Sequence, residues 1–128
     1  MKEPIWLSRS VVLAFHGRLL AEHGGDRGIR DEGLLESALA APVNKFNYGE
    51  NDVIALAATY AHSPLTNHPF VDGNKRVALV TAGVFLELNG YRLTASEPDT
   101  VLAILALVEG KMKVGNFADW LRVSSEKT

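Results

Sequence analysis

The chain has 128 residues, and its 13 Lys and Arg against 15 Asp and Glu give a net charge of -2 with neutral histidines. This length predicts one domain over residues 1–128. The absence of cysteine excludes a disulfide framework, a thiolate nucleophile and cysteine-bound metal sites, and the slightly acidic balance argues against direct nucleic-acid binding.

Two helices are predicted in the first third of the chain. The first begins at Ser8 or Ser10, which are both favourable N-caps, and ends at the glycine pair that starts at Gly24. The second is capped by Asp31 and ends at Pro42, because proline has no N–H to donate to a helix.

A loop and a third helix follow. The loop is predicted over Pro42–Glu50, and the helix begins at about Asn51 or Asp52. The pair Ser63 and Pro64 must kink or end this helix, since proline also disfavours helical backbone at the residue before it.

The fourth helix is predicted to be the centre of the fold. It begins near Gly73, runs to Leu88 and stops at the Asn-Gly pair that follows. Its middle, Val77–Leu86, is apolar on all sides, and a helix of that kind is normally surrounded by others.

The rest of the chain completes an all-α pattern. Tyr91–Thr94 is short enough to be extended, and Ser96 caps a fifth helix that ends at Gly110. Asn116 is expected to cap a last short helix, and the polar SSEKT ending is expected to be frayed. The sequence therefore predicts a compact bundle of about six helices around a buried central helix.

The sequence favours a soluble cytoplasmic protein with no membrane segment. Lys2, Glu3 and Arg9 interrupt the start of the chain, and no continuous apolar region of a secretory signal follows them. The longest apolar stretches, Val77–Leu86 and Val101–Val108, are much shorter than the roughly 20 residues that span a bilayer.

One stretch, Asn67–Arg76, concentrates the side chains that carry chemistry. Gly73 permits a turn, and Asn74, Lys75 and Arg76 then form the first turn of the fourth helix. Their amides lack partners within the helix and lie at its positive end, which favours a bound phosphate. The two cations strengthen that interpretation, because helix N-termini otherwise disfavour positive side chains.

Two further residues complete the hypothesis. Asp72 lies at the edge of the phosphate site, where Mg²⁺ is the usual bridge between a carboxylate and phosphate oxygens. A histidine at position 68 is the residue type best suited to take a proton from a hydroxyl nucleophile near neutral pH. Together these groups are typical of the transfer of a phosphate-containing group.

Each of these residues also has a structural interpretation. Taken alone, His68 is more often a loop or capping residue, Asp72 and Asn74 favour a helix start, and the two cations can be a solvated pair. Phe70 is predicted to be a core anchor that fixes the loop.

The stretch HPFVDGNKR closely resembles the active-site motif of the Fic/Doc family, H-x-F-x-[D/E]-G-N-x-R. The positions that meet the pattern are His68, Phe70, Asp72, Gly73, Asn74 and Arg76. The flanking stretches IRDEGLLESALAAP and VFLELNGYRL are similar to those of the death-on-curing (Doc) branch, and the likeness covers most of residues 5–123. The resemblance implies the Fido fold.

The resemblance also implies a role for each residue. His68 would be the general base, and Asp72 would hold Mg²⁺. The turn of Gly73 and Asn74 would bind the anion, with Lys75 and Arg76 gripping the nucleotide phosphates. Phe70 would pack into the core beneath.

Two positions favour the Doc branch over the larger AMP-transferring branch. Lys75 stands where that branch usually has Gly, and Leu79 stands where it has a second Arg. The resemblance then implies a toxin that transfers the γ-phosphate of ATP to a Thr of elongation factor Tu and inhibits translation. Gly73 matches the AMP-transferring pattern and keeps AMP transfer open as an alternative. A catalytically inactive module that binds an antitoxin or partner is an alternative of another class.

Inhibition is expected to come from a separate chain. Self-inhibited members carry [S/T]-x-x-x-E-[G/N], and none of the three Glu-Gly or Glu-Asn pairs here has Ser or Thr four residues before the Glu. By resemblance, the inhibitor would be a Phd-like antitoxin that folds a disordered tail against the toxin.

Overall fold

A computed structural model describes residues 2–128 and confirms the predicted all-α bundle, with six helices and one small sheet in that range. The helices are α1 (Arg9–His23), α2 (Glu32–Asn47), α3 (Val53–Asn67), α4 (Asn74–Leu88), α5 (Glu97–Val108) and α6 (Val114–Val123). The strands are β1 (Tyr91–Leu93) and β2 (Ser125–Lys127), which pair antiparallel with Tyr91 opposite Lys127.

Four helices begin at the side-chain caps that the sequence predicts. Ser8 accepts a hydrogen bond from the amide of Val11 at the start of α1. Asp31, Asp52 and Ser96 accept amide hydrogen bonds in the same way at the starts of α2, α3 and α5. Each cap satisfies an amide that has no partner inside its helix, so the signal is local.

Two prolines lie inside helices that they were predicted to end or kink. The prediction that Pro42 ends α2 is wrong, because α2 continues to Asn47 through most of the predicted loop. Pro42 is buried, and beyond it Phe46 packs edge-on against Trp6 with ring centroids 5.6 Å apart. An interior proline costs about 3 kcal/mol, and burial of the apolar face that follows it offsets that cost.

Pro64 likewise does not end α3, which continues to Asn67. Ser63, Pro64 and Leu65 are all buried. The part of α3 around Pro64 therefore packs in the interior, and the helix leads directly to the candidate site.

Two predictions near the C-terminus are also wrong. Asn116 does not cap α6, since the helix begins at Val114 after Lys113 with no side-chain cap. The SSEKT ending is not frayed, because three of its residues form β2. A polar strand edge satisfies its backbone groups by pairing, whatever its side chains are.

The prediction that the fourth helix is the centre of the fold is wrong, because α3 is the more completely enclosed helix. It contacts α2, α4, α5 and α6, and Leu56, Ala57, Ala58 and Ala61 have no exposed surface. The helix α4 packs against it but keeps a partly exposed side. The loop between these two core helices is consequently held from both ends.

No helix within residues 2–128 has the combination of length and apolar character that crossing a bilayer requires.

Candidate active site

His68 occupies the point where α3 ends and the site begins. Its backbone lies in the left-handed region, with φ 49° and ψ 61°, and its amide donates to the carbonyl of Pro64 at 3.0 Å. The residue is exposed, although the prolyl residue after it is buried. The chain turns here, which leaves the imidazole beside open solvent.

Phe70 and Asn74 fix the shape of the loop that follows. Phe70 is 1% exposed. The Asn74 side chain is buried, accepts from the Phe70 amide at 3.1 Å and donates to the Phe70 carbonyl at 2.9 Å. Both ends of this side chain are therefore engaged inside the loop, so an anion bound here would contact Asn74 through its backbone amide.

His16 of α1 lies beneath the loop, a position that was not predicted from the sequence. Its ring stacks on Phe70 with centroids 3.8 Å apart, and its Nε2 is 2.8 Å from the carbonyl oxygen of Asp72. A carbonyl can only accept, so Nε2 carries the proton and donates. The spacing of Val12, His16 and Leu20, four residues apart on one helical face, is the signal that would have found it.

Gly73 closes the loop with φ 85°, a conformation that side chains rarely adopt. A Cβ added there would lie 3.4 Å from Cδ2 of His16, so the turn sits directly against that ring. The sequence predicts the turn at Gly73, but the ring that packs against this turn belongs to His16, more than 50 residues earlier.

A second segment runs beside the loop, and we call it the supporting segment, Gly24–Asp31. Ile29 pairs with Phe70 in an isolated antiparallel bridge, and Val71 donates its amide to the carbonyl of Gly28 at 3.1 Å. At one end the amide of Asp26 donates to Oδ2 of Asp72 at 3.0 Å.

At the other end of the supporting segment, Arg30 reaches the last carbonyls of α3. Its Nε donates to the carbonyl of His68 at 2.7 Å, and its Nη2 donates to that of Asn67 at 2.8 Å. No local pattern links Arg30 to Asn67 and His68, which lie 37 and 38 positions away, so the sequence does not predict these contacts.

Positive charge is concentrated at the start of α4. The first hydrogen bond of this helix runs from Val77 to the carbonyl of Gly73, so the amides of Asn74, Lys75 and Arg76 precede it. Lys75 and Arg76 are exposed, and neither takes part in the ion pairs found within residues 2–128. Two cations and the positive end of a helix dipole thus face the same solvent region.

One cleft of about 670 Å³ brings together all the predicted site residues except Phe70, which is buried in the core. That volume is within the range of sites for small organic ligands. Its other wall comes from α5, which the sequence did not connect with the site. The lining residues are His68, Val71, Asp72, Gly73, Asn74, Lys75, Arg76, Leu79, Val101, Ile104 and Leu105.

Among the described residues, the cleft has no preformed set of protein ligands for a metal ion. Across residues 2–128, no three His, Asp or Glu side chains are grouped closely enough to hold one. Asp72 is the one carboxylate that lines the cleft among the described residues. A cation bound here would take its remaining ligands from a substrate and water.

The similarity to known proteins extends beyond the motif. A model of the Fic/DOC family matches residues 6–86, which include every site residue predicted from the sequence. Protein kinase doc of Escherichia phage P1 is 31% identical over 117 residues, which are 91% of this chain and 92% of that protein. Toxin Doc of Mycolicibacterium smegmatis is 43% identical over 75 residues, which are 56% of this chain and 57% of that protein.

Proposed function

Because this chain belongs to the Fic/DOC family, we propose that it is a toxin that transfers the γ-phosphate of ATP to a hydroxyl of elongation factor Tu and so inhibits translation. The family and the two Doc relatives support a Doc-type, protein-modifying transferase. The proposal goes further than this family-level assignment in naming the donor, the transferred group and the target.

The proposal rests mainly on the side chains and amides that line one cleft. This cleft contains an exposed imidazole, a carboxylate and two cations beside the amide end of α4. Phosphoryl transfer depends mainly on positioning and charge stabilisation, and these are the groups that such a transfer uses.

In the proposed reaction the hydroxyl oxygen of the target attacks the γ-phosphorus of ATP. The bond from that phosphorus to the oxygen bridging to the β-phosphate breaks, and ADP leaves. His68 accepts the proton of the hydroxyl. Lys75, Arg76 and the first amides of α4 hold the phosphate oxygens and stabilise their charge.

Mg²⁺ fits the residues present. Oδ2 of Asp72 is held by the amide of Asp26, and no hydrogen bond within residues 2–128 engages Oδ1. One carboxylate oxygen together with phosphate oxygens and water is a set of ligands that Mg²⁺ prefers. When bound, the ion would neutralise part of the phosphate charge.

The name of the phage relative, a protein kinase that aligns with 91% of this chain, supports γ-phosphate transfer. Lys75 and Leu79 support it too, since they depart from the AMP-transferring pattern. AMP transfer is the second candidate, and Gly73 favours it because that glycine belongs to the AMP-transferring motif.

The partner proposed for regulation is a separate, Phd-like antitoxin. The absence of the self-inhibitory sequence pattern supports this part of the proposal. Co-expression with a neighbouring open reading frame should restore growth if that frame encodes the antitoxin.

The deciding experiment labels one phosphate of ATP at a time. Purified chain is incubated with elongation factor Tu, Mg²⁺ and ATP labelled at either the γ- or the α-phosphate. We expect label on the target from the γ-phosphate only. Label from the α-phosphate only would replace the kinase proposal with AMP transfer, and no label from either would contradict both.

His68→Ala tests the catalytic role in the same assay. Removal of a general base should lower the transfer rate by about 10²- to 10⁴-fold. His23→Ala, which alters an exposed histidine at the end of α1, is the matched control and should leave the rate unchanged. Full transfer by the His68 variant would remove His68 from the mechanism.

A further inference from the structure

We propose that Arg30 is a positioning residue that holds the backbone of His68 in the conformation that presents its imidazole to the cleft. The inference rests on the proposed function, in which His68 is the general base. In this proposal Arg30 contacts neither the nucleotide nor the target.

The backbone of His68 requires support from outside itself. Among residues 2–128 it is the only non-glycine residue with a positive φ. Side chains with a Cβ disfavour this region, and residues held there persist when surrounding contacts over-determine them. The chain changes direction at His68, so a change in these backbone angles would move the imidazole.

The contacts of Arg30 fall on the two peptide groups that define that conformation. Nη2 donates to the carbonyl of Asn67 at 2.8 Å, in the peptide before His68. Nε donates to the carbonyl of His68 at 2.7 Å, in the peptide after it. The angles φ and ψ describe the rotation of these two peptide planes about the Cα of His68. A rigid guanidinium that bonds to both planes therefore restrains both angles.

The backbone of Arg30 extends the same arrangement by one residue. Its amide donates to the carbonyl of Pro69 at 2.7 Å, and the adjacent bridge between Ile29 and Phe70 fixes the Cα from which the side chain extends. One residue thus contacts three successive carbonyls across the end of α3.

Charge favours this arrangement. The last carbonyls of α3 have no partners within the helix and carry its negative partial charge. Arg30 forms none of the ion pairs found within residues 2–128, so no carboxylate competes for its guanidinium. Lysine would keep the charge but lacks the planar fork that spans two carbonyls.

The test compares Arg30→Gln and Arg30→Lys with Arg18→Gln in the complete chain. Arg18 is an exposed arginine of α1, with 82% of its side chain accessible, and it is the matched control. The first measurement is the ¹³Cα and ¹³Cβ chemical shifts of His68, which report its backbone angles without any reaction. We expect them to leave left-handed values in Arg30→Gln and to stay unchanged in Arg18→Gln.

The second measurement is steady-state transfer with ATP as the varied substrate. We expect kcat to fall by about 10- to 100-fold in Arg30→Gln with KM for ATP unchanged, because the base is misplaced and the phosphate site is intact. The kcat of Arg30→Lys should lie between those of Arg30→Gln and the wild type. In a further variant, Arg30→Ala, added methylguanidine should restore part of the lost rate.

Unchanged His68 shifts in Arg30→Gln would overturn the proposal. A raised KM with unchanged kcat would also overturn it, because that result assigns Arg30 to nucleotide binding. If Arg30→Gln does not fold, Arg30→Lys is compared in the same two measurements. If the wild type transfers no phosphate, the proposed function fails, and the chemical shifts still decide whether Arg30 positions His68.

Discussion

Asp72 has two carboxylate oxygens in different surroundings. The amide of Asp26 holds Oδ2 at 3.0 Å, and this contact requires the supporting segment to pass very close to the loop. Gly25 makes that approach feasible. A Cβ there would lie 3.0 Å from Cδ2 of Leu20 and 3.4 Å from Oδ2 of Asp72, and its φ of +121° also disfavours a side chain.

Gly25→Ala should therefore destabilise the fold by roughly 2 kcal/mol, from backbone strain together with the close contact. The matched control is Gly17→Ala in the interior of α1, where a Cβ meets nothing within 4 Å. That change should stabilise the protein by about 0.5–1 kcal/mol. Urea denaturation measures both, and equal effects of the same sign would contradict the argument.

Asp72→Asn tests the proposed metal ligand. Removal of the carboxylate charge should lower transfer by about 10²-fold or more and abolish its dependence on Mg²⁺ concentration. Asp119→Asn, an exposed carboxylate on α6, is the control. A variant at position 72 that keeps the wild-type response to Mg²⁺ would show that Asp72 does not hold the ion.

At the scale of the elements, the packing of α2 against α3 gives the stability of the protein a pH dependence. His62 lies on α3, and Lys45 lies in the part of α2 that continues beyond Pro42. Burial, with a further contribution from the charge of Lys45, lowers the pKa of His62. The folded chain therefore binds this proton less readily than the unfolded chain does.

The sign of the effect follows from that comparison. The contribution of His62 to stability is fully present above its unfolded pKa of about 6.5 and is lost as the pH falls through the lower folded pKa. Wild type should lose stability relative to His62→Gln between pH 7.5 and pH 5.5, as measured by urea denaturation. The two proteins differ only at position 62, so identical pH profiles would refute the effect.

At the scale of the whole molecule, the C-terminus joins the fold through β1. β2 is the partner of β1, and the amide of Thr128 donates to the carbonyl of Gly90 at 2.9 Å. The last residues of the chain are therefore tied to the turn that follows α4.

Deletion of residues 125–128 should lower the free energy of unfolding by roughly 2 kcal/mol, because several backbone hydrogen bonds are lost at about 1 kcal/mol each. Lys127→Gln keeps the backbone pairing and should change stability by less than about 0.5 kcal/mol. A truncated chain with the wild-type Tm would mean that the sheet contributes nothing to stability.

Parts of the fold and site were predictable because their signals are local. The caps at Ser8, Asp31, Asp52 and Ser96 act within three residues, and the motif from His68 to Arg76 lies within one loop and one helical turn. Local chemistry of this kind needs no knowledge of what packs against it.

The predictions that were wrong depended on distant contacts. Proline ends helices in isolation, but the buried surroundings of Pro42 and Pro64 outweigh that preference. The polar ending SSEKT gives no sign of a strand, since its partner lies 32 to 36 residues earlier.

The sequence by itself determined the helical class, most helix starts and the motif that identifies the family, since each is written in neighbouring residues. The tertiary structure alone decided what surrounds the motif. It places His16 beneath the loop, the supporting segment beside it and α5 across the cleft. These contacts join residues separated by about 30 to 60 positions, and side-chain packing rather than local preference selects them.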